Sequence, residues 1–342
     1  MSSTVQFGKP LFTDGVLGAA SAQDDLGLEN VGAGLLRRLT PGVIQNTPNA
    51  GYYSLYPYLL WKWEQLGGEV ERSAFETFFR RHESAFAVAC VLHEHRDGIT
   101  PLGISGALAA RRWAREMGEG PADLDLDTHA RDYMDAQLGG YGQYYDVALQ
   151  DARLVVAGAR GLVDRVSEQG AAVAAAFADA FEQTTYAQKH LTSSGSVPAG
   201  VLRELGDATC LCTVPGRSDH ELLLETFFGS QLSSPTWEER RRNRIESLSL
   251  LLEFHAQRPS ADDDDLAAWR RALVGHQFSS GKAWTTTHSE RRESWRAYQL
   301  RELSVLALTT IWSIYLGELI RRGSATHEEL TQELVSWMTE SR

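Results

Sequence analysis

Apolar positions along this chain fall three and four residues apart far more often than they alternate, the pattern of helices packed by one face. In RSAFETFFRRHESAFAVACVLHEHRDG, Phe75, Phe78, Phe79, Phe86, Val88 and Cys90 keep that spacing. They predict an amphipathic helix or helix pair ending near Gly98. A shorter helix is expected at LLRRL, which follows LGLENVGAG and is stopped by the turn Pro41-Gly42. SSPTWEERRRNRIESLSLLLEFHAQ is marked at its start: Ser234 caps, Pro235 takes the first turn, and Thr236 with Glu239 fits a capping box. Asp262 to Asp265, after Ser260, place acids at the positive end of another helix. His288 to Arg322 reads as one long helix or two in series.

One stretch carries a clear β pattern. Leu154 to Val166, LVVAGARGLVDRV, sets two short branched-apolar runs on either side of GARG, whose glycines suit a hairpin turn. Helical QYYDVALQDA precedes it, and alanine-rich SEQGAAVAAAFADAFE, capped by Ser167, follows. Helix, hairpin, helix is the order around the wing of a winged-helix module, with earlier helices at FAVACVLHEH and SGALAARRWAREMG. The expected fold class is therefore mostly α. A helical region over 1–84 carries an aromatic block, a small winged-helix-like β-hairpin module covers 85–185, and a C-terminal helical bundle covers 186–342.

The aromatic block lies in TPGVIQNTPNAGYYSLYPYLLWKWE, where turn residues give way to tyrosine and tryptophan. Tyr52, Tyr56, Leu59, Leu60 and Trp63 share one helical face, while Tyr53, Tyr58 and Trp61 fall elsewhere. Pro57 is expected to start or kink the helix. Platforms that stack bases interleave such residues with lysine and arginine, yet from Leu39 to Gly68 the only basic residue is Lys62. Two uses remain. One is a helix buried on two sides with tyrosine hydroxyls on internal partners. The other is a protein-binding surface made of Tyr52, Tyr53, Tyr56, Trp61 and Trp63, with a second one at Trp295 and Tyr298 beside Trp284. The core is the plainer reading.

Charge narrows the classes. A net charge of −12 over 342 residues opposes general binding of nucleic acid or anionic membranes. Positive charge is nearly all arginine, as expected from a GC-rich bacterial genome. The hairpin offers Arg153, Arg160 and Arg165 to phosphates, but Arg131 to Glu182 holds four arginines against eight acids, which weakens phosphate contact. Arg240, Arg241, Arg242 and Arg244 form a second cluster, and Arg291, Arg292, Arg296 and Arg301 a third. Both are interleaved with glutamates, as in Glu238 with Arg242 and Arg242 with Glu246, the pattern of a salt-bridged, solvated helix face.

Three cysteines with no framework spacing suit a reducing compartment. MSSTVQFGKPLFTDGVLG lacks the pattern of a signal peptide. The longest uncharged apolar run, Leu303 to Gly317, is bounded by Glu302 and Glu318 and falls short of the ~20 residues that span a bilayer. It predicts a buried core helix, no membrane association and a cytoplasmic protein.

Candidate chemistry is sparse. Cys90, His93 and His95 in CVLHEH, with Cys210 and Cys212 in CLC, would make a soft tetrahedral site if they met. Their spacings match no common zinc motif, Cys-x-Cys alternates like a half-buried strand, and buried thiols are common without function. No metal and no cofactor is expected. GHQFSSGKAW has its glycines one residue too far apart for a phosphate loop and Ala283 where a hydroxyl belongs. Arg271 with His276, Arg322 with His327, and Arg217, Asp219, His220 and Glu221 in RSDHELLLE are acid–base candidates of low specificity.

DDLGLENVGAGLLRRLTPGVIQNTPNAGYYSLYPYLLW, from Asp24 to Trp61, resembles the N-terminal region of uncharacterised bacterial families. Those carry a Leu-Gly-Leu, Pro-Gly, Thr, Tyr-Tyr or Tyr-Phe, Trp run. They place arginine just before the aromatic pair, where this chain has Ala50 and Gly51. The resemblance implies a component of a multi-gene system such as phage defence or DNA restriction. The expected function is a non-catalytic helical adaptor that binds a protein partner, with nucleic acid reached through that partner or weakly and directly. The alternatives are direct DNA or RNA binding through the winged-helix-like module, and a hydrolase or nuclease whose groups meet only in space.

Overall fold

The computed structural model describes residues 28–44, 47–93, 103–117, 123–229, 235–259 and 265–340. Ser234, Ser260, Asp262 to Asp264, His95, Gly98 and the side chain of Thr236 lie outside that description, so the caps and acidic start expected there carry no structural account.

The protein is mostly α-helical, as its apolar periodicity predicts. In chain order the helices and strands begin with α1 (Leu28–Leu39), α2 (Tyr52–Gln65), α3 (Arg72–Leu92), α4 (Ala107–Met117), β1 (Asp123–Asp125) and α5 (Leu126–Asp132). A π-helical turn at Tyr141–Tyr145 leads into α6 (Asp146–Asp151), β2 (Val155–Val156), β3 (Arg165–Val166), α7 (Glu168–Phe181), α8 (Thr185–Lys189), β4 (Ser196–Pro198) and α9 (Ala199–Thr209). A 3-10 turn at Leu211–Gly216 precedes α10 (Asp219–Phe228), α11 (Pro235–Gln257), α12 (Asp265–Gly275), α13 (Ser289–Arg322) and α14 (His327–Glu340).

The chain divides into two compact units, one formed by Thr40–Ile245 and the other by Met1–Leu39 with Glu246–Arg342. In the larger unit α2 lies against α7, and α3 against α9, α5 and α4. Tyr52 to Leu60 are buried all round the helix, which is why α2 shows no polar face. The helix starts ahead of Pro57 and runs through it. Arg72–Leu92 is one helix of 21 residues.

The hairpin is where the sequence puts it. β2 pairs antiparallel with β3 in the register Val155↔Val166 and Val156↔Arg165. Ser167 caps α7 by accepting a hydrogen bond from the Gly170 amide at 2.9 Å. The described residues of 85–185 nevertheless share one continuous core with Tyr52–Leu60, Leu202, Leu205 and Leu211, because α2 and α9 close over the faces that a separate module would have to cover itself. A second ribbon, β1 with β4, joins Leu124 to Val197 and has no counterpart in the sequence reading.

In the smaller unit a core of Leu250, Phe254, Ala268, Ala272, Leu273, Phe278 and Trp284 is gathered from α11, α12 and the loop before α13. His288 to Arg322 forms a single helix, α13, capped after Arg322 by Gly323 with φ 77°, a conformation that glycine adopts without strain. Here one expectation is overturned. The apolar run of α13 is not a buried core helix: none of its most apolar 18-residue window is buried. By length and composition α13 is the one helix among the described residues able to cross a membrane.

Candidate interaction surfaces and a thiol–imidazole cluster

The aromatic block answers for itself through its hydroxyls. Tyr52 accepts from the Ser105 amide at 2.7 Å, and Tyr53 donates to the Gly42 carbonyl at 2.6 Å. Tyr56 donates to Glu83 at 2.5 Å, and Tyr58 to Glu182 at 3.4 Å. Tyr52, Tyr53 and Tyr56 are almost wholly buried, so they form the core rather than a surface. Each ring buries its body against aromatic neighbours while its polar end finds an internal partner, the condition under which tyrosine is tolerated inside. Trp61 and Trp63 are half-buried. Trp63 packs on Phe75 and Phe78 and donates through Nε1 to the Glu69 carbonyl at 2.9 Å. Trp295 and Tyr298 are also half-buried and touch each other edge to face, and Trp295 Nε1 donates to Ser247 at 3.0 Å. Trp284 is buried in the smaller core.

The arginines divide by burial. Arg160 and Arg165 are exposed on the hairpin, and Arg153 is half-buried behind it with φ 62°. Arg165 faces Glu64 at 3.8 Å. Arg240 pairs with buried Asp151 at 2.8 Å and Arg241 with Glu238 at 2.7 Å. Arg244 is committed to the fold: its guanidinium donates to the carbonyls of Phe227, Thr226 and Pro41 at 2.9, 2.9 and 2.7 Å. Burial lowers its pKa to about 10. It is therefore withdrawn from any phosphate-binding set.

Two ionisable groups expected as acid–base candidates are structural. Arg217 holds Asp219 through two bonds of 2.8 and 2.7 Å, and Ser54 donates to the same carboxylate. Burial by itself would raise the Asp219 pKa, but Arg217 and Ser54 keep it below the usual carboxylate value. His276 meets Glu293 at 2.9 Å on the surface of the smaller unit.

Sequence reasoning missed Glu83. It is fully buried on α3 and receives hydrogen bonds from Tyr56 Oη, Tyr133 Oη and the Gly140 amide, the last at 3.1 and 3.2 Å. Burial pushes its pKa up to about 7, against the lowering effect of the tyrosine donors. Its neighbour His82 is also buried, shares a 2.7 Å hydrogen bond with Tyr186 Oη, and has its pKa lowered to about 3 by burial and then by Arg81. The only trace in the sequence is a His-Glu pair inside an apolar helix.

The thiols and one histidine converge. Cys90 lies in the last turn of α3, His93 ends that helix, and Cys210 ends α9 with Cys212 two residues beyond. A ring nitrogen of His93 and the Sγ atoms of Cys210 and Cys212 all lie within 4.8 Å of one another. The Cys90 and Cys210 side chains interact with each other. Cys90 and Cys210 are buried, His93 is half-buried and Cys212 is exposed. The Cys-x-Cys pair is not strand-like: Cys210 closes a helix and Cys212 opens the 3-10 turn, which points the two sulfurs to one side. Burial raises the pKa of the Cys90 thiol, and the interaction with Cys90 lowers that of Cys210.

Glycine makes the approach possible. A Cβ at Gly206 would stand 2.3 Å from the Ala89 carbonyl oxygen and 3.1 Å from His93 Cβ. Only a hydrogen side chain lets α9 lie this close to α3 and bring Cys210 beside Cys90. Asp207, the next residue, accepts a hydrogen bond from His93 Nδ1–H at 2.7 Å.

The last feature is the apolar surface of the smaller unit. Leu306, Leu308 and Trp312 on α13 are 60%, 52% and 63% exposed, and Ile320 is 83% exposed. Val335 and Trp337 on α14, which packs against α13, extend the surface. No protein-family model, curated protein or solved structure matches this chain.

Proposed function

We propose that the chain is a non-catalytic helical adaptor, a cytoplasmic subunit of a bacterial multi-protein system of the restriction or phage-defence kind, which docks a protein partner on α13 and α14. The observation that carries the reading is the exposed apolar surface running from Leu306 to Ile320. Soluble monomers rarely leave such contiguous patches open, and covered patches mark contact sites. Tryptophan and leucine at its centre, with charged pairs such as Arg321–Glu318 and Arg322–Glu333 at the end of the helix, match an apolar interface core with a polar rim. The nucleic-acid reading keeps Arg160 and Arg165 but loses Arg244.

The test is recovery of the tagged full-length chain from its native host, with and without nuclease, beside the double variant Leu308→Glu, Trp312→Glu. Both positions are exposed and one helical turn apart, so the charges meet the partner face without entering the core. The wild type is expected to retain partner polypeptides after nuclease treatment, and the double variant to release them. Partners lost on nuclease treatment, or recovery of nucleic acid alone, refute the adaptor reading. A second reading, bilayer association, follows from the length and composition of α13. Flotation of the purified chain with lipid vesicles, abolished by the double variant, replaces the first reading with this one.

A further inference from the structure

We propose that Cys90, His93, Cys210 and Cys212 bind one divalent cation of the zinc class in a closed, structural site. Three sulfurs and one imidazole nitrogen are a complete tetrahedral zinc set, and a set with four protein ligands leaves no open position for chemistry. The proposal stands apart from the docking surface, since all four residues belong to the larger unit.

Geometry carries it. In a tetrahedral site with zinc–sulfur bonds near ~2.3 Å, ligand sulfurs sit about 3.8 Å apart. The atoms of His93, Cys210 and Cys212 already lie within 4.8 Å of one another, and Cys90, in the last turn of α3, interacts with Cys210. A contraction of about 1 Å brings these three atoms to the spacing of a tetrahedral site, and rotation of the short Cys90 side chain at the end of α3 completes the shell. The imidazole is also held in the way metal-bound histidines are held. A carboxylate on one ring nitrogen fixes the tautomer and turns the other toward the ion, and here Asp207 contacts Nδ1 at 2.7 Å. With Nδ1 so engaged, the coordinating atom is Nε2. The burial of Cys90 and Cys210 beside exposed Cys212 gives the ion an open edge by which to enter.

The site has a mechanical consequence. Cys90 and His93 stand at the C-terminal end of α3, and Cys210 and Cys212 at the junction of α9 with the 3-10 turn, so one ion ties together segments far apart in the chain. This is the point where Gly206 already brings the two helices into backbone contact. Because ligands must lose their protons before binding, the ion couples its own binding energy to the packing of α3 on α9.

The experiment uses the full-length chain, produced in zinc-supplemented medium and purified with reductant and without chelator. Elemental analysis is expected to find about one zinc per chain. After stripping and reloading with Co²⁺, the protein is expected to show thiolate-to-cobalt charge-transfer absorption and the intense visible bands of a tetrahedral site. Cys212→Ser, at an exposed position, and His93→Gln should each remain folded by circular dichroism and lose most of that absorption. Asp207→Asn, which acts through the histidine, should keep the spectrum and weaken zinc affinity about 10- to 100-fold. A folded, zinc-free protein whose thiols react at a rate unchanged by added zinc overturns the proposal. So does full zinc content in the variant lacking all three cysteines.

Discussion

Glu83→Gln separates two buried titrations that oppose each other in the wild-type protein. Burial raises the Glu83 pKa from 4.5 to about 7. A folded state that holds its proton more tightly than the unfolded chain gains stability from it. That gain is fully present below pH 4.5, falls as pH rises, and is gone above about 7. The interval, at about 1.4 kcal/mol per pH unit, is worth about 3 kcal/mol. His82 runs the other way. Its pKa drops from 6.5 to about 3, so its contribution is intact above 6.5 and is lost as pH falls toward 3. Between pH 4.5 and 6.5 one slope cancels the other.

Glutamine removes the Glu83 titration and keeps the shape. The amide can still accept from the Gly140 N–H, and it offers a donor to the oxygen of Tyr56 or Tyr133. Its fixed cost appears as an offset between the two proteins; the test is the slope. Urea denaturation of wild type and variant at half-unit steps from pH 4.5 to 7.5 gives the difference in unfolding free energy at each pH, in which the surface carboxylates cancel. The variant should gain about 3 kcal/mol on the wild type across that range. A difference that stays constant refutes the reasoning, because it means that the tyrosine and amide donors keep Glu83 ionised throughout.

Three further experiments probe the packing and the exposed hairpin. Gly206→Val sets a branched side chain against the Ala89 carbonyl 2.3 Å from the new Cβ, and should lower the unfolding free energy by about 1–3 kcal/mol, read from the urea midpoint. Asp219→Ala strands Arg217, whose side chain is 4% exposed, and should cost about 3–5 kcal/mol by the same assay, partly recovered when Arg217→Met is added. Arg160→Ala with Arg165→Ala, at exposed positions on the hairpin, should leave stability within about 0.5 kcal/mol.

Much of the helical layout was legible because it is written locally. The start of α11 at Pro235, the helical character of His288 to Arg322, the Ser167 cap and the hairpin at Leu154 to Val166 each rest on signals within a few residues of one another. What was not legible is non-local. The β1–β4 ribbon joins Asp123–Asp125 to Ser196–Pro198, strands too short to show alternation and separated by four helices. The same limit hid the shared core. Helical spacing puts Tyr52 and Tyr56 on one face of α2, but only the arrival of α3, the 141–145 turn and α7 from elsewhere in the chain buries the opposite face as well. The candidate metal residues were named from the sequence, and their meeting was not. Their junction depends on a glycine, Gly206, whose role is visible only once Ala89 is beside it.

The apolar run of α13 shows why exposure escapes sequence reasoning even where the element itself is read correctly. Leu303 to Gly317 has the composition of a helix enclosed by its own chain, and the same composition serves a helix enclosed by another molecule. Burial area has the same favourable sign in both, about 25 cal/mol per Å² of apolar surface removed from water. Periodicity therefore identifies a surface that needs covering without naming the cover. In α2 the chain supplies it: nine consecutive residues, Tyr52 to Leu60, are enclosed, and their hydroxyls are matched to particular internal acceptors and donors. In α13 the hydroxyls of Ser304, Thr309, Thr310 and Ser313 return to carbonyls of the preceding turn, which leaves the helix surface without outward polar demands. A face whose polar groups are satisfied within its own helix is suited to an apolar partner, and that is the physical content of assigning the docking role to α13 rather than to the tyrosines of α2.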